Sequence, residues 1–179
     1  MWEKIELVRD DITAQDTDAI VNAANHTLLG GGGVDGAIHQ AAGPELLEEC
    51  RTLSGCQTGE AKITKGYHLR AKCVIHTVGP VWRGGESNES ALLRACYENS
   101  LRLAAENNCR TVAFPSISTG AFGYPIKSAA PIALGSVAHA LGAFPDIEMV
   151  RFVLYNSADF IVYRDTLQEL KQRTKAKRP

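Results

Sequence analysis

Four glycines in a row, Gly30 to Gly33, stand between a short apolar run, Ala19 to Ala23, and a helical pattern over Val34 to Ala42. Consecutive glycines are entropically costly to order and contribute no side-chain packing, so burial gives no reason for them. They fit a loop whose backbone N–H groups must approach a ligand closely. Phosphate at a helix N-terminus is the usual occupant of such a loop. Two side chains with chemical capacity, Asn25 and Asp35, bracket the glycines.

The rest of the chain repeats this strand-to-helix grammar. Lys4 to Arg9 alternates as a strand, and Asp10-Asp11-Ile12-Thr13 ends it. The helix over Val34 to Ala42 closes at Gly43, and Pro44 suits the first position of the next helix, which runs to Leu53. Ala61 to Lys65 and Cys73 to Val78 read as strands, and a long helix covers Ser90 to Glu106. Thr111 to Phe114 is a strand that leads into a second loop rich in Gly, Ser and Thr, Pro115 to Pro125. Ile126 to Leu141 is helical despite Pro131 and Gly135, and Val150 to Tyr155 is a last buried strand. Asn156 or Ser157 caps the final helix, whose inner stripe is Phe160, Tyr163, Leu167 and Leu170. Alternating strands and helices predict a layered α/β fold with a mixed or mostly parallel sheet. Ligands in such folds bind beyond the carboxyl ends of the strands, where both glycine loops leave the sheet.

Composition narrows the function classes. A chain of 179 residues with 45% hydrophobic and 22% charged residues suits one soluble domain with a sizeable core. A net charge of −1 gives no global attraction to nucleic acid or to an anionic membrane. The basic C-terminal residues Lys171, Arg173, Lys175, Lys177 and Arg178 read as a solvated helix end and a tail over residues 175–179. No apolar run is long enough to span a bilayer. Five scattered cysteines without a Cys-x-x-Cys pair fit reduced thiols in the cytoplasm and no zinc site. Gly31-x-Gly33-x-x-Gly36 has the letters of a dinucleotide fingerprint, but Asn25 to Leu29 separate it from its strand, and there is no P-loop.

Each candidate has an ordinary alternative. Asn before glycines is common turn chemistry, and Asp at a helix start is a common N-cap. Ser118-Thr119-Gly120 reads equally as a turn before a helix, and Phe122 and Tyr124 as packing. His39 and His76 read as satisfied structural histidines. The two loops occurring together favour one diphosphate held between them.

Three stretches carry a specific likeness. They are Val21-Asn22-Ala23-Ala24-Asn25, then Gly30 to His39, then Ser118-Thr119-Gly120-Ala121-Phe122-Gly123-Tyr124-Pro125. With His76 to Trp82 they resemble the macrodomain family, specifically its MacroD-type branch and within it the bacterial YmdB-like proteins. The likeness covers nearly the whole chain and implies a single macrodomain over residues 1–174. It implies a three-layer α/β/α sandwich with a central mixed sheet, and an enzyme that hydrolyses esters of ADP-ribose. The substrates implied are ADP-ribosyl-Asp and -Glu on proteins and O-acetyl-ADP-ribose, with no cofactor and no metal. By position, Asp11 would bond the adenine amino group, Ile12 would touch the same ring, and Tyr155 would pack on it. Gly33 and Val34, with Ser118, Thr119, Gly120, Ala121 and Phe122, would wrap the diphosphate and distal ribose. Asn25 would hold a distal-ribose hydroxyl, and Asp35 would orient or activate the attacking water. The chain departs from the family at Asp10, where Gly is frequent, and at Phe122, where near relatives carry Tyr. Any mechanism that needs a hydroxyl at position 122 fails here. The alternatives are a non-catalytic ADP-ribose reader and a regulator of an RNA-processing enzyme. ADP-ribosylated proteins are the expected partners, nucleic acid and membranes are not, and a monomer is the expected state.

Overall fold

The computed structural model describes residues 1–177. Six strands form one sheet: β1 (Ile5–Arg9), β2 (Ala19–Ala23), β3 (Ala61–Lys65), β4 (Cys73–Thr77), β5 (Thr111–Phe114) and β6 (Met149–Leu154), in the order β1-β6-β5-β2-β4-β3. All neighbours pair in parallel except β3, which runs antiparallel to β4 at one edge. The helices are α1 (Gly33–Ala42), α2 (Pro44–Arg51), α3 (Glu89–Glu106), α4 (Ile126–Ala143) and α5 (Ser157–Ala176).

Strand alternation builds the three layers. Val21, Ile75, Val112, Phe114, Val150 and Phe152 point to one face and pack under α3, α4 and α5. Ile20, Val74, Ala113 and Val153 point to the other and meet Ile38, Leu46 and Cys50 of α1 and α2. Parallel strands covered on both faces need apolar side chains on both, which explains the near-continuous apolar runs in β2 and β4. The expected sandwich with a mixed central sheet is therefore the observed fold.

Element ends differ from the sequence reading by one or two residues. Val78 and Tyr155 fall outside their strands, and α1 begins at Gly33. A short 3-10 turn at Ile12–Ala14 replaces the plain strand end, with Asp11 as its N-cap. Asn156, not Ser157, caps α5, its Oδ1 accepting from the Asp159 N–H at 2.8 Å. Helix α5 runs to Ala176, past the expected start of the basic tail, and Arg178 lies outside the described residues. The five cysteines are free thiols, and burial pushes Cys50 and Cys96 up to about 11. Among the described residues no helix is long and apolar enough to cross a membrane.

The carboxyl ends of β1, β2, β4, β5 and β6 share one edge of the sheet, because these strands are parallel. The loops after β2 and β5 leave from that edge side by side.

Candidate functional site

The glycine loop after β2 and the loop after β5 face each other across a cavity of about 340 Å³. Its walls are Ala23 to Asn25, Gly31 to Asp35, and Ser116, Ser118, Gly120, Ala121 and Phe122. Two rows of backbone donors flank it. Among the described residues the N–H groups of Gly31 to Asp35 bond to no protein acceptor, because they lie before or within the first turn of α1, where intrahelical partners run out. The N–H groups of Ser118 to Phe122 likewise bond to no protein acceptor among the described residues. Gly36 lets the loop close on its helix, since a Cβ there would sit 2.5 Å from the Gly31 carbonyl oxygen.

The second loop is fixed from below. Tyr97 and Tyr163 are fully buried beside Phe114 and Phe152, with ring centroids 5.1 to 5.9 Å apart. The Tyr97 hydroxyl accepts from the Ile117 N–H at 3.1 Å, and the Tyr163 hydroxyl donates to Ser116 Oγ at 2.9 Å. Thr119 turns back to Ser116 Oγ at 2.8 Å, so it braces the loop and does not line the cavity. Ser118 adopts φ 66 and its buried Oγ has no hydrogen-bond partner among the described residues. Gly79 packs against that hydroxyl so closely that a Cβ would collide with Ser118 Oγ and Ile117 Cγ2.

Asp35 does not cap its helix. The N-cap is Gly32, and Asp35 lies within the first turn with its carboxylate buried. Asn22 Nδ2 donates to Asp35 Oδ1 at 2.8 Å and also lies 3.1 Å from His76 Nδ1. Sheet register makes this junction. Asn22 and His76 are paired residues on β2 and β4, on the face that α1 covers. His76 is fully buried, and burial first, then the nearby His39, push it down to about 3. The ring is therefore neutral, with Nδ1 accepting from Asn22 and Nε2–H donating to Thr64 Oγ1 at 2.9 Å. Thr64 passes its own proton to the Lys65 carbonyl at 3.1 Å. This chain fixes which amide atoms of Asn22 face the carboxylate. His39 lies one helical turn beyond Asp35, with Nε2 3.4 Å from Asp35 Oδ1.

Asn22 escaped the sequence reading as a site residue. Its signal was an amide within a strand of otherwise apolar residues, where an unpaired polar group is costly. His76 is the satisfied buried histidine expected. What the sequence did not reveal is that Asn22, and through it Asp35, is its partner.

Asn25 lines the cavity and also makes the turn. Its Oδ1 accepts from the Thr27 N–H at 3.1 Å and the Thr27 hydroxyl at 2.6 Å, and its Nδ2 donates to the Gly30 carbonyl at 2.9 Å. One Nδ2 proton remains for a ligand. Asp11, Ile12 and Tyr155 sit at the same sheet edge but outside this cavity's walls. Asp11 is exposed and accepts from Thr13 N at 2.9 Å, Ile12 is buried under α1, and Tyr155 is 81% exposed just beyond β6. Asp10 braces the neighbouring turn. The Asp11 N–H and the Gln15 amide bond its carboxylate and hold it below the usual range.

The Macro domain family profile matches residues 21–133, which run from within β2 through the glycine loop and the loop after β5. The chain belongs to that family. This macrodomain is 60% identical over 163 residues, 91% of its length, to a macro domain-containing protein of Chlorobaculum tepidum, and covers 95% of that protein. It is 54% identical to mouse ADP-ribose glycohydrolase MACROD2 over 93% of its own length and 36% of the mouse protein. A solved Oceanobacillus iheyensis macrodomain, a Gly-to-Val variant with ADPR, superposes with a TM-score of 0.90 at 44% identity and 94% coverage of each chain. Three solved variants of that protein change an Asn, a Gly and an Asp separated by seven and then three residues. Asn25, Gly32 and Asp35 have the same spacing in this macrodomain.

Proposed function

We propose that this macrodomain binds ADP-ribose and hydrolyses its esters, releasing ADP-ribose from Asp and Glu side chains of proteins and acetate from O-acetyl-ADP-ribose. One observation carries the reading: two rows of unengaged N–H groups wall a single cavity that also holds a buried carboxylate, Asp35. The N–H rows suit a diphosphate, and fixed donors hold it without reorganisation during the reaction. The relatives described as an ADP-ribose glycohydrolase and as a macrodomain with ADPR support the same ligand and reaction class.

In this reading the distal ribose lies between Asn25, whose free amide proton meets a hydroxyl, and the Phe122 ring. Asp35 accepts a proton from water as the water oxygen attacks the ester. The bond between the acyl carbon and the ribose oxygen breaks, Asp35 passes the proton it took to the leaving ribose oxygen, and the carboxylic acid and the ribose hydroxyl separate. A carboxylate is a weak base at neutral pH, so general-base assistance supplies about 10²–10⁴-fold and positioning supplies the rest. Asn22 keeps the Asp35 carboxylate aimed. Asp11, Ile12 and Tyr155 form the adenine end, one strand pair away, just after β1 and β6.

The test pairs turnover with affinity. The expected result is that Asp35→Ala lowers hydrolysis of both esters at least 10²-fold while ADP-ribose still binds. An Asp35→Ala enzyme with full turnover would remove Asp35 from the chemistry. Tight binding by wild type without hydrolysis of either ester would make the protein a reader.

A further inference from the structure

A second cavity, of about 420 Å³, shares the Asn25 and Phe122 walls of the first and continues over His26, Pro80, Val81 and Arg83. Its loop is built rather than loose. The buried Glu89 carboxylate accepts the N–H groups of Arg83, Gly85 and Ser87. Burial pushes that carboxyl up, and the three bonds outweigh it and hold it below the usual range. Trp82 ties the same loop to the first site, its backbone N–H donating to the Phe122 carbonyl at 2.8 Å and its ring centroid lying 4.6 Å from that of Tyr124. Three backbone donors thus engage both oxygens of Glu89. Arg83 is exposed and forms no ion pair among the described residues.

We infer that this second cavity receives the acyl side of the substrate: the peptide segment around an ADP-ribosylated Asp or Glu, with Arg83 selecting acidic neighbours. The inference rests on the proposed placement of the distal ribose between Asn25 and Phe122. A group esterified to that ribose leaves the first cavity through the wall the two cavities share. The second cavity offers what a peptide needs there. Val81, exposed beside the buried Pro80, offers an apolar shelf. His26 is held in place, its Nδ1 donating to the Cys56 carbonyl at 3.1 Å. Arg83 supplies the cation for carboxylates flanking the modified residue. An acetyl group is too small to reach the shelf or the guanidinium, so the two ester classes separate at this cavity and not at Asp35.

The test reads affinity, so it does not depend on turnover. The probes are free ADP-ribose and a hydrolysis-resistant, amide-linked ADP-ribosyl peptide with acidic flanks, with a lysine-flanked peptide as its counterpart. Calorimetry on wild type and Arg83→Glu gives the ratio of peptide to ADP-ribose affinity. The acidic conjugate is expected to bind wild type about tenfold tighter than ADP-ribose. In Arg83→Glu that advantage falls to about onefold, and the lysine-flanked conjugate gains instead, while the ADP-ribose Kd stays within about twofold. Equal affinity of wild type for all three probes, or an unchanged acidic preference in Arg83→Glu, overturns the inference even if both esters are hydrolysed. A peptide advantage that survives in an enzyme without turnover upholds the cavity assignment and overturns the hydrolase reading alone.

Discussion

Asn22 and Asp35 should be energetically coupled, and the structure sets the size. Asn22→Ala removes a charge-assisted bond to Asp35 and a second bond to His76, both fully buried. A buried bond to a charged group contributes about 1.5–3 kcal/mol and a neutral one about 1 kcal/mol. The substitution also leaves the His76 Nδ1 acceptor unpaired. Asn22→Ala is therefore expected to lower stability by about 3 kcal/mol. Asp35→Ala removes a desolvated carboxylate along with its bond, so its net effect should stay within about 1 kcal/mol of zero. In the Asp35→Ala background the Asn22 amide has no carboxylate to serve, so adding Asn22→Ala loses only the His76 bond. A double-mutant cycle by urea unfolding should then give a coupling of about 1.5 kcal/mol. Additivity within about 0.5 kcal/mol would refute the idea that Asn22 serves Asp35, and would reduce it to a filler of the β2–β4 face.

Three further outcomes follow from the same geometry. Gly33 has φ +57 with open space around its Cβ position, so Gly33→Glu should cost about 1–2 kcal/mol of backbone strain and put a carboxylate among the unengaged N–H groups of the glycine loop. Calorimetry should find no ADP-ribose binding with native circular dichroism, and unchanged affinity would place the ligand elsewhere. Tyr97→Phe removes the acceptor for the Ile117 N–H and should cost about 1–2 kcal/mol in chemical denaturation, with weaker ADP-ribose binding because the second loop loses its anchor. Full stability in that variant would deny the anchor. His76 is held neutral with its pKa lowered to about 3 from 6.5, so the unfolded chain binds the proton first as pH falls. Its stabilising contribution is complete above about pH 6.5 and drains away between there and pH 3, by about 2.7 kcal/mol at pH 4.5. His76→Gln should flatten the stability profile between pH 6.5 and 4.5, while Asp10 and Glu89, whose pKa values are also lowered, act only below their ordinary carboxylate range.

The layers were legible because strand alternation and helical spacing are local. Val21 and Ile20 already announce opposite faces, and Pro44 and Gly43 mark a helix junction by backbone chemistry alone. The glycine run was legible as a loop for the same reason. The Asp35 environment was not. Reading Asp35 as a cap or as a site residue turns on Asn22 and His76, which lie 54 residues apart and meet only through the β2–β4 register. The Asn25 choice between turn and site dissolves once the atoms are counted, because its carbonyl and one amide proton make the turn and the other proton stays free. Ile12 shows the reverse limit: a residue assigned to a ligand by likeness packs chiefly into the core beneath α1.

Under the proposed function Asp35 acts on the substrate in a cavity that binds through backbone donors. A turnover assay on an auto-modified protein carrying Asp- and Glu-linked ADP-ribose, run beside O-acetyl-ADP-ribose, tests it most directly. Wild type and Asp35→Ala are compared for product release and for ADP-ribose affinity. The account predicts release of ADP-ribose by wild type, at least 10²-fold loss in the variant, and affinity retained in both. Equal turnover by the two proteins, or binding without turnover by wild type, would contradict it.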